Sequence, residues 1–176
     1  MADHRMARLA ASAALLLATV GGLATAPSAH AAPQPLLSCQ GTETLTFQPP
    51  LTNTPKPTRV SYAIDLSVCP VGGVTSGTSQ GSFTATASCT ALSVLPPAFS
   101  DTYHWNTGAS STVSYTAPVE TAVNGTVTVT DTGTVNSGLD HGSLANETTT
   151  LPQPDLTTCA GPGVARLSGP YALTFG

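Results

Sequence analysis

Positive charge is scarce in this chain: five lysines and arginines among 176 residues, against nine aspartates and glutamates. Over residues 32–176 only Lys56, Arg59 and Arg166 remain, facing eight acids, for a net charge of −5 with histidine neutral. Three cations cannot neutralise a run of phosphates, so nucleic acid and anionic membrane surfaces are poor partners. Charged residues of both signs make up only 8% of the chain, so its surface must dissolve by other means. The same span carries 27 threonines and 15 serines, and their hydroxyls take that role. Histidine is limited there to His104 and His141, which with four cysteines expected in disulfides cannot build a usual zinc site. No cofactor motif occurs, and no helix-length amphipathic stretch competes with the pattern described below.

What is present begins with an export signal. Arg5 and Arg8 precede the apolar segment "LAASAALLLATVGGLATA", and Ala29-His30-Ala31 places small residues where a signal peptidase inspects. We expect a secretory signal over residues 1–31, cleavage after Ala31, and one domain over 32–176. Leu36-Leu37-Ser38-Cys39 resembles a lipobox, but Pro27, Pro33 and Pro35 separate it from the apolar segment. Lipidating Cys39 would also strand an odd thiol in an oxidising compartment. The expected mature form is extracellular and, once cleaved, has no membrane partner.

Threonine alternates with apolar residues through the mature chain, a period of two that specifies strands. In "RVSYAIDLSV" the alternation turns Val60, Tyr62, Ile64, Leu66 and Val68 to one face. "TETLTFQ" does the same with Leu45 and Phe47, and "GSFTATASC" with Phe83, Ala85, Ala87 and Cys89. Further strands are expected near 102–106, 110–117, 126–135, 143–151 and 164–175. Pro49, Pro50, Pro55 and Pro57 suggest a long extended connection between the first two strands. "WNTGAS" reads as a hairpin loop with Gly108 left-handed. At Val123-Asn124-Gly125, a two-residue turn would set Glu120 opposite Val129. A three-residue loop would instead pair Val119 with Val129 and Thr121 with Val127, and this is the expected register. Eight or nine short strands in one exported domain indicate an all-β sandwich, immunoglobulin-like, with a small closed β-barrel as the alternative.

The run from Cys39 to Pro49, C-x-G-T-x-T-x-T-x-x-P, continues through "LTNTPKPTRV", "GSFTATASC" and "WNTGASSTVS". It resembles small secreted threonine- and serine-rich β-proteins of actinobacteria over about residues 39–176. The resemblance implies export and a disulfide-bonded β-fold. It transfers no active-site residue.

Four motifs invite a chemical reading. Asp131-Thr132-Gly133 is the tripeptide of aspartic proteases, which need two carboxylates sharing one proton. The chain has one copy, set in ordinary strand alternation, so Asp131 is expected at a strand end or bulge. Gly77-Thr78-Ser79-Gln80-Gly81 matches the serine-esterase pattern, yet a strand follows it where that chemistry needs a strand-to-helix turn. Asp131, Asn136 and Asp140 share one stretch without the spacing of a calcium loop. In "TYHWNTG", Tyr103 and Trp105 share a strand face and Tyr115 lies on the expected partner strand. If exposed, the three would form an aromatic platform for sugar rings; otherwise Trp105 fills the core.

Four cysteines allow three pairings. Cys39 precedes the first strand and Cys69 ends the second, which brings both to one end of an antiparallel domain. Cys89 ends the third strand and Cys159 precedes the last. Cys39–Cys69 and Cys89–Cys159 are therefore the expected bridges. The function read from these features is non-enzymatic binding or structure in the extracellular or cell-envelope space, with a glycan or a protein as partner. A carbohydrate-binding module using Tyr103, Trp105 and Tyr115 is one alternative, and a small secreted hydrolase is another.

Overall fold

Residues 36–90, 98–116 and 118–176 are described by the structure, a computed structural model; the expected signal segment lies outside them. Among the described residues the period-two pattern becomes nine strands: β1 (Leu37–Leu51), β2 (Lys56–Val71), β3 (Gly77–Ala87), β4 (Phe99–Trp105), β5 (Ser110–Tyr115), β6 (Val119–Val123), β7 (Thr126–Gly138), β8 (Leu144–Pro152) and β9 (Val164–Phe175). One short helix, α1 (Leu156–Ala160), lies between β8 and β9.

The strands do not form a sandwich. Eight of them close a barrel in the order β1-β2-β3-β4-β5-β7-β8-β9 and back to β1, with every pairing antiparallel. The immunoglobulin-like expectation is thus replaced by the closed-barrel alternative. The reason is the 13-residue length of β7. Its later half pairs with β5, from Ser111↔Gly138 to Tyr115↔Gly133, while its first half pairs with β6. β5 also pairs with β4, so it joins the two edges that a sandwich would leave apart. β6 hangs beside β7 as a ninth strand, exposed along its whole length.

Three local expectations are corrected. The β6–β7 hairpin uses the two-residue turn: Val123 pairs with Thr126 and Glu120 with Val129. Because β6 buries neither face, hydrophobic matching cannot choose its register. The turn chooses it, since Asn124 (φ 51°) and Gly125 (φ 80°) both take the positive φ that such a turn demands. Val68 faces solvent while Cys69 faces in, because β2 carries an extra residue, Ser67, where Gly41↔Leu66 gives way to Gln40↔Val68. The prolines make no long connection, for β1 runs to Leu51 and β2 begins at Lys56. Instead, pairing of β1 with β9 lapses between Thr46 and Leu51, where Pro49 and Pro50 have no N–H to donate.

Inward side chains form two apolar clusters, one toward each end of the barrel. The first gathers Leu37, Leu66, Trp105, Val135, Leu173 and Phe175 around the Cys39–Cys69 bridge. The second gathers Phe47, Leu51, Val60, Leu151 and Leu167 around Cys89–Cys159. Both bridges are the expected ones. The second depends on α1, where the Asp155 side chain caps the helix by accepting the Thr158 N–H at 2.7 Å. That cap fixes the turn carrying Cys159. Outward positions are mostly threonine and serine. Several meet across strands, as Thr102 meets Thr112 (3.1 Å) and Thr44 meets Ser168 (3.0 Å).

Candidate functional site

Between the two apolar clusters the barrel has a polar waist. Glu43 on β1, Asp101 on β4, Asp131 on β7 and Glu147 on β8 each occupy an inward position of the alternation. Asp101 and Asp131 are 3% exposed and Glu147 7%. The sequence expectation of a strand end or bulge at Asp131 is corrected: the residue sits in mid-strand, opposite Glu147 across the β7–β8 ladder.

Hydroxyl groups meet three of these carboxyls. Glu147 Oε2 accepts from Tyr103 (2.6 Å) and Tyr171 (2.5 Å), and Tyr103 also contacts the Tyr115 (2.9 Å) and Tyr171 (2.7 Å) hydroxyls. Three phenolic protons therefore serve four contacts, leaving the network one proton short unless Glu147 carries one. Thr149 donates to Glu43 at 2.6 Å, and Tyr62 donates to Asp101. Asp131 is the exception, since its buried Oδ1 has no hydrogen-bond partner.

Burial decides the charge states. It pushes Glu43 up to about 7 against the opposing hydrogen bond from Thr149. It raises Asp101 to about 6 despite the Tyr62 hydroxyl. Asp131 is pushed to about 7, by burial first and then by the neighbouring Glu147. Glu147 is raised by burial, while the tyrosine hydroxyls pull it back. Burial also lifts Tyr62, Tyr103, Tyr115 and Tyr171 above the usual phenol range, so they stay protonated donors. Two carboxyls facing each other in low dielectric share a proton before both ionise, so Asp131 and Glu147 titrate as a pair.

The waist opens into a cavity of about 180 Å³ lined by all four carboxyls and by Tyr62, Phe83 and Phe99. Its side wall comes from a parting of β3 and β4, which pair only at Gly77↔Trp105 and Thr78↔His104. Carried onward, that register would set Gly81 opposite Asp101 and Phe83 opposite Phe99. Tyr62 occupies the parting instead. Its phenol lies over Gly81, where any Cβ would overlap it, and reaches the Asp101 carboxylate.

The remaining motifs are not assembled into chemistry. Tyr103, Trp105 and Tyr115 do come together, but they are 0%, 4% and 2% exposed, so the sugar platform is corrected to a core. Trp105 packs face to face with Tyr103 at 5.8 Å and donates its indole N–H to Ser111 at 2.9 Å. Ser79 is an inward strand residue whose Oγ has no hydrogen-bond partner, so no base touches it; His104 and His141 are exposed. Asp131, Asn136 and Asp140 separate. Asp131 turns inward, Asn136 turns outward to donate to Ser114, and Asp140 lies in the β7–β8 turn. Among the described residues no group of three His, Cys, Asp or Glu is placed to hold a metal ion. Cys39 is bonded to Cys69 and is not a free lipidation site.

Sequence reasoning missed the waist, although a signal was present. Each of the four acids is in phase with apolar neighbours: Glu43 with Leu45 and Phe47, Asp101 with Tyr103 and Trp105, Asp131 with Val127 and Val135, and Glu147 with Ala145 and Leu151. The chain matches no protein-family model, no curated protein and no solved structure.

Proposed function

We propose that this protein is a secreted, non-enzymatic β-barrel that holds a small molecule in its interior. The observation that carries this reading is the 180 Å³ cavity at the waist, lined by four carboxyl residues, one of which, Asp131, has a buried Oδ1 without a hydrogen-bond partner. A purely structural barrel gains nothing from four acids in its core, because burying an unpaired polar group costs stability. Such a cost is commonly retained at binding sites. Export through the N-terminal segment, with cleavage after Ala31, accompanies this reading, and two disulfides fit an oxidising extracellular location.

Binding is favoured over hydrolysis by the absence of any base on Ser79 and by the size of the cavity. At about 180 Å³ it is on the scale of one small molecule, not of the extended peptide that an Asp-Thr-Gly protease must grip. The test is a screen of small polar fragments by amide chemical shifts. Binding fragments should move Glu43, Ser82, Asp101 and Asp131 together, and a cavity-filling Val129→Trp should abolish the effect. Hits confined to the outer threonine face, or no hits at all, would remove the reading.

A further inference from the structure

We propose that the waist cavity is a site for a small organic cation, an ammonium group carried on a compact apolar or aromatic body. This rests on the reading of the cavity as a ligand site and names the ligand's chemistry.

The lining divides into two parts. Glu43, Asp101, Asp131 and Glu147 supply acid from four different strands, and among the described residues no Lys, Arg or His lines the cavity to answer them. Phe83, Phe99 and Tyr62 supply aromatic surface at the parting of β3 and β4, with Leu45, Ile64 and Val129 behind. An anion would meet uncompensated carboxylates. A bare metal ion would find no group of three ligands within reach among the described residues. A neutral apolar molecule would leave Asp131 Oδ1 unpartnered, as it is now. A protonated amine answers every feature at once. It donates to Asp131, it supplies the charge the waist lacks, and it places its body against aromatic faces that attract cations. The hydroxyl network has already met Glu147, Glu43 and Asp101, so Asp131 is the point at which an added donor gains most.

Binding must exchange a cation for protons. The titratable groups acting on Asp131 are Glu147 on β8, Glu43 on β1 and Asp101 on β4; behind them Tyr103 on β4 and Tyr171 on β9 meet Glu147, Tyr115 on β5 meets Tyr103, and Tyr62 on β2 meets Asp101, while β3 lines the cavity with Ser82 and Phe83, which do not titrate. With Asp131 and Glu43 pushed up to about 7, protons hold the site at acidic pH and leave it at alkaline pH. An amine should therefore bind better at pH 8 than at pH 5.

Three probes of one shape and different charge test this: phenethylamine, 2-phenylethanol and phenylacetate, titrated into the purified protein by calorimetry and amide shifts. The expected result at pH 8 is that phenethylamine binds about tenfold or more tighter than the alcohol, with phenylacetate weakest. Its affinity should fall at pH 5 and fall about tenfold in Asp131→Asn. Should that variant fail to fold, Asp101→Asn carries the same expectation. If the alcohol binds as tightly as the amine at the cavity, the cation inference is overturned and the ligand-holding cavity stands. If none of the three moves the cavity residues, both are overturned.

Discussion

Asp131 and Glu147 stand directly opposite each other on β7 and β8, both turned into the barrel, with tyrosine hydroxyls on Glu147 and nothing on Asp131 Oδ1. One carboxyl of the pair is met by hydroxyl groups and the other is left for a proton or a cation. This asymmetry is the origin of the protein's expected pH behaviour and of its proposed ligand.

Stability should fall as pH rises. Glu43 and Asp131 are raised to about 7 and Asp101 to about 6, whereas in the unfolded chain carboxyls return to about 4. The folded state therefore binds more protons across that window. Its extra stability is fully present below about pH 4 and is lost as pH climbs through about 6 to 7. Thermal melts at pH 4, 6 and 8 should give a lower Tm at each step. A Tm that rises with pH would contradict the buried-acid waist.

Asp131→Asn should stabilise the ligand-free protein at alkaline pH. It removes an anion that burial and Glu147 disfavour, and its amide can donate to Glu147. Since one unit of raised pKa corresponds to about 1.4 kcal/mol, the gain should be roughly 2–4 kcal/mol at pH 8 and small at pH 4. Denaturant unfolding at the two pH values checks both numbers.

Gly81→Ala should displace Tyr62. A Cβ there would overlap the phenol ring, an overpacking that typically costs about 1–3 kcal/mol. The same change draws the hydroxyl away from Asp101, which then loses its donor and titrates higher still. A melt and a carboxyl titration of the variant read out the two effects separately.

The bridges should contribute unequally. They close segments of 30 and 70 residues. The chain-entropy model converts those lengths to about 3.6 kcal/mol for Cys39–Cys69 and about 4.4 kcal/mol for Cys89–Cys159. Against a typical net stability of about 5–15 kcal/mol, paired Cys→Ala replacement of the second bridge should bring the larger loss. Equilibrium unfolding of the two double variants measures the order.

Strand positions, the inward faces of β1 and β3, and both disulfides were legible in the sequence because they follow from local alternation and from which strand end each cysteine occupies. Barrel closure was not. Alternation is the same in a sandwich and a barrel, and the choice lies in the β5–β7 pairing, set by how far β7 extends past Gly133. The register of β6 misled for a different reason: Val119 and Val123 look like core residues but are 66% and 56% exposed. The waist hid behind the rule that acids face out. Asp131 in phase with Val127 and Val135 signalled otherwise, but no single strand reveals that four such positions converge at one level of a barrel.

A carboxyl titration followed by carbon NMR over pH 3 to 10 bears most directly on the account. Glu43 and Asp131 should titrate near pH 7 and Asp101 near pH 6, with Asp131 and Glu147 showing linked steps. If all four instead lose their protons below pH 5 as independent groups, the waist is hydrated or otherwise compensated. Neither the proton-sharing pair nor the cation site built on it would then stand.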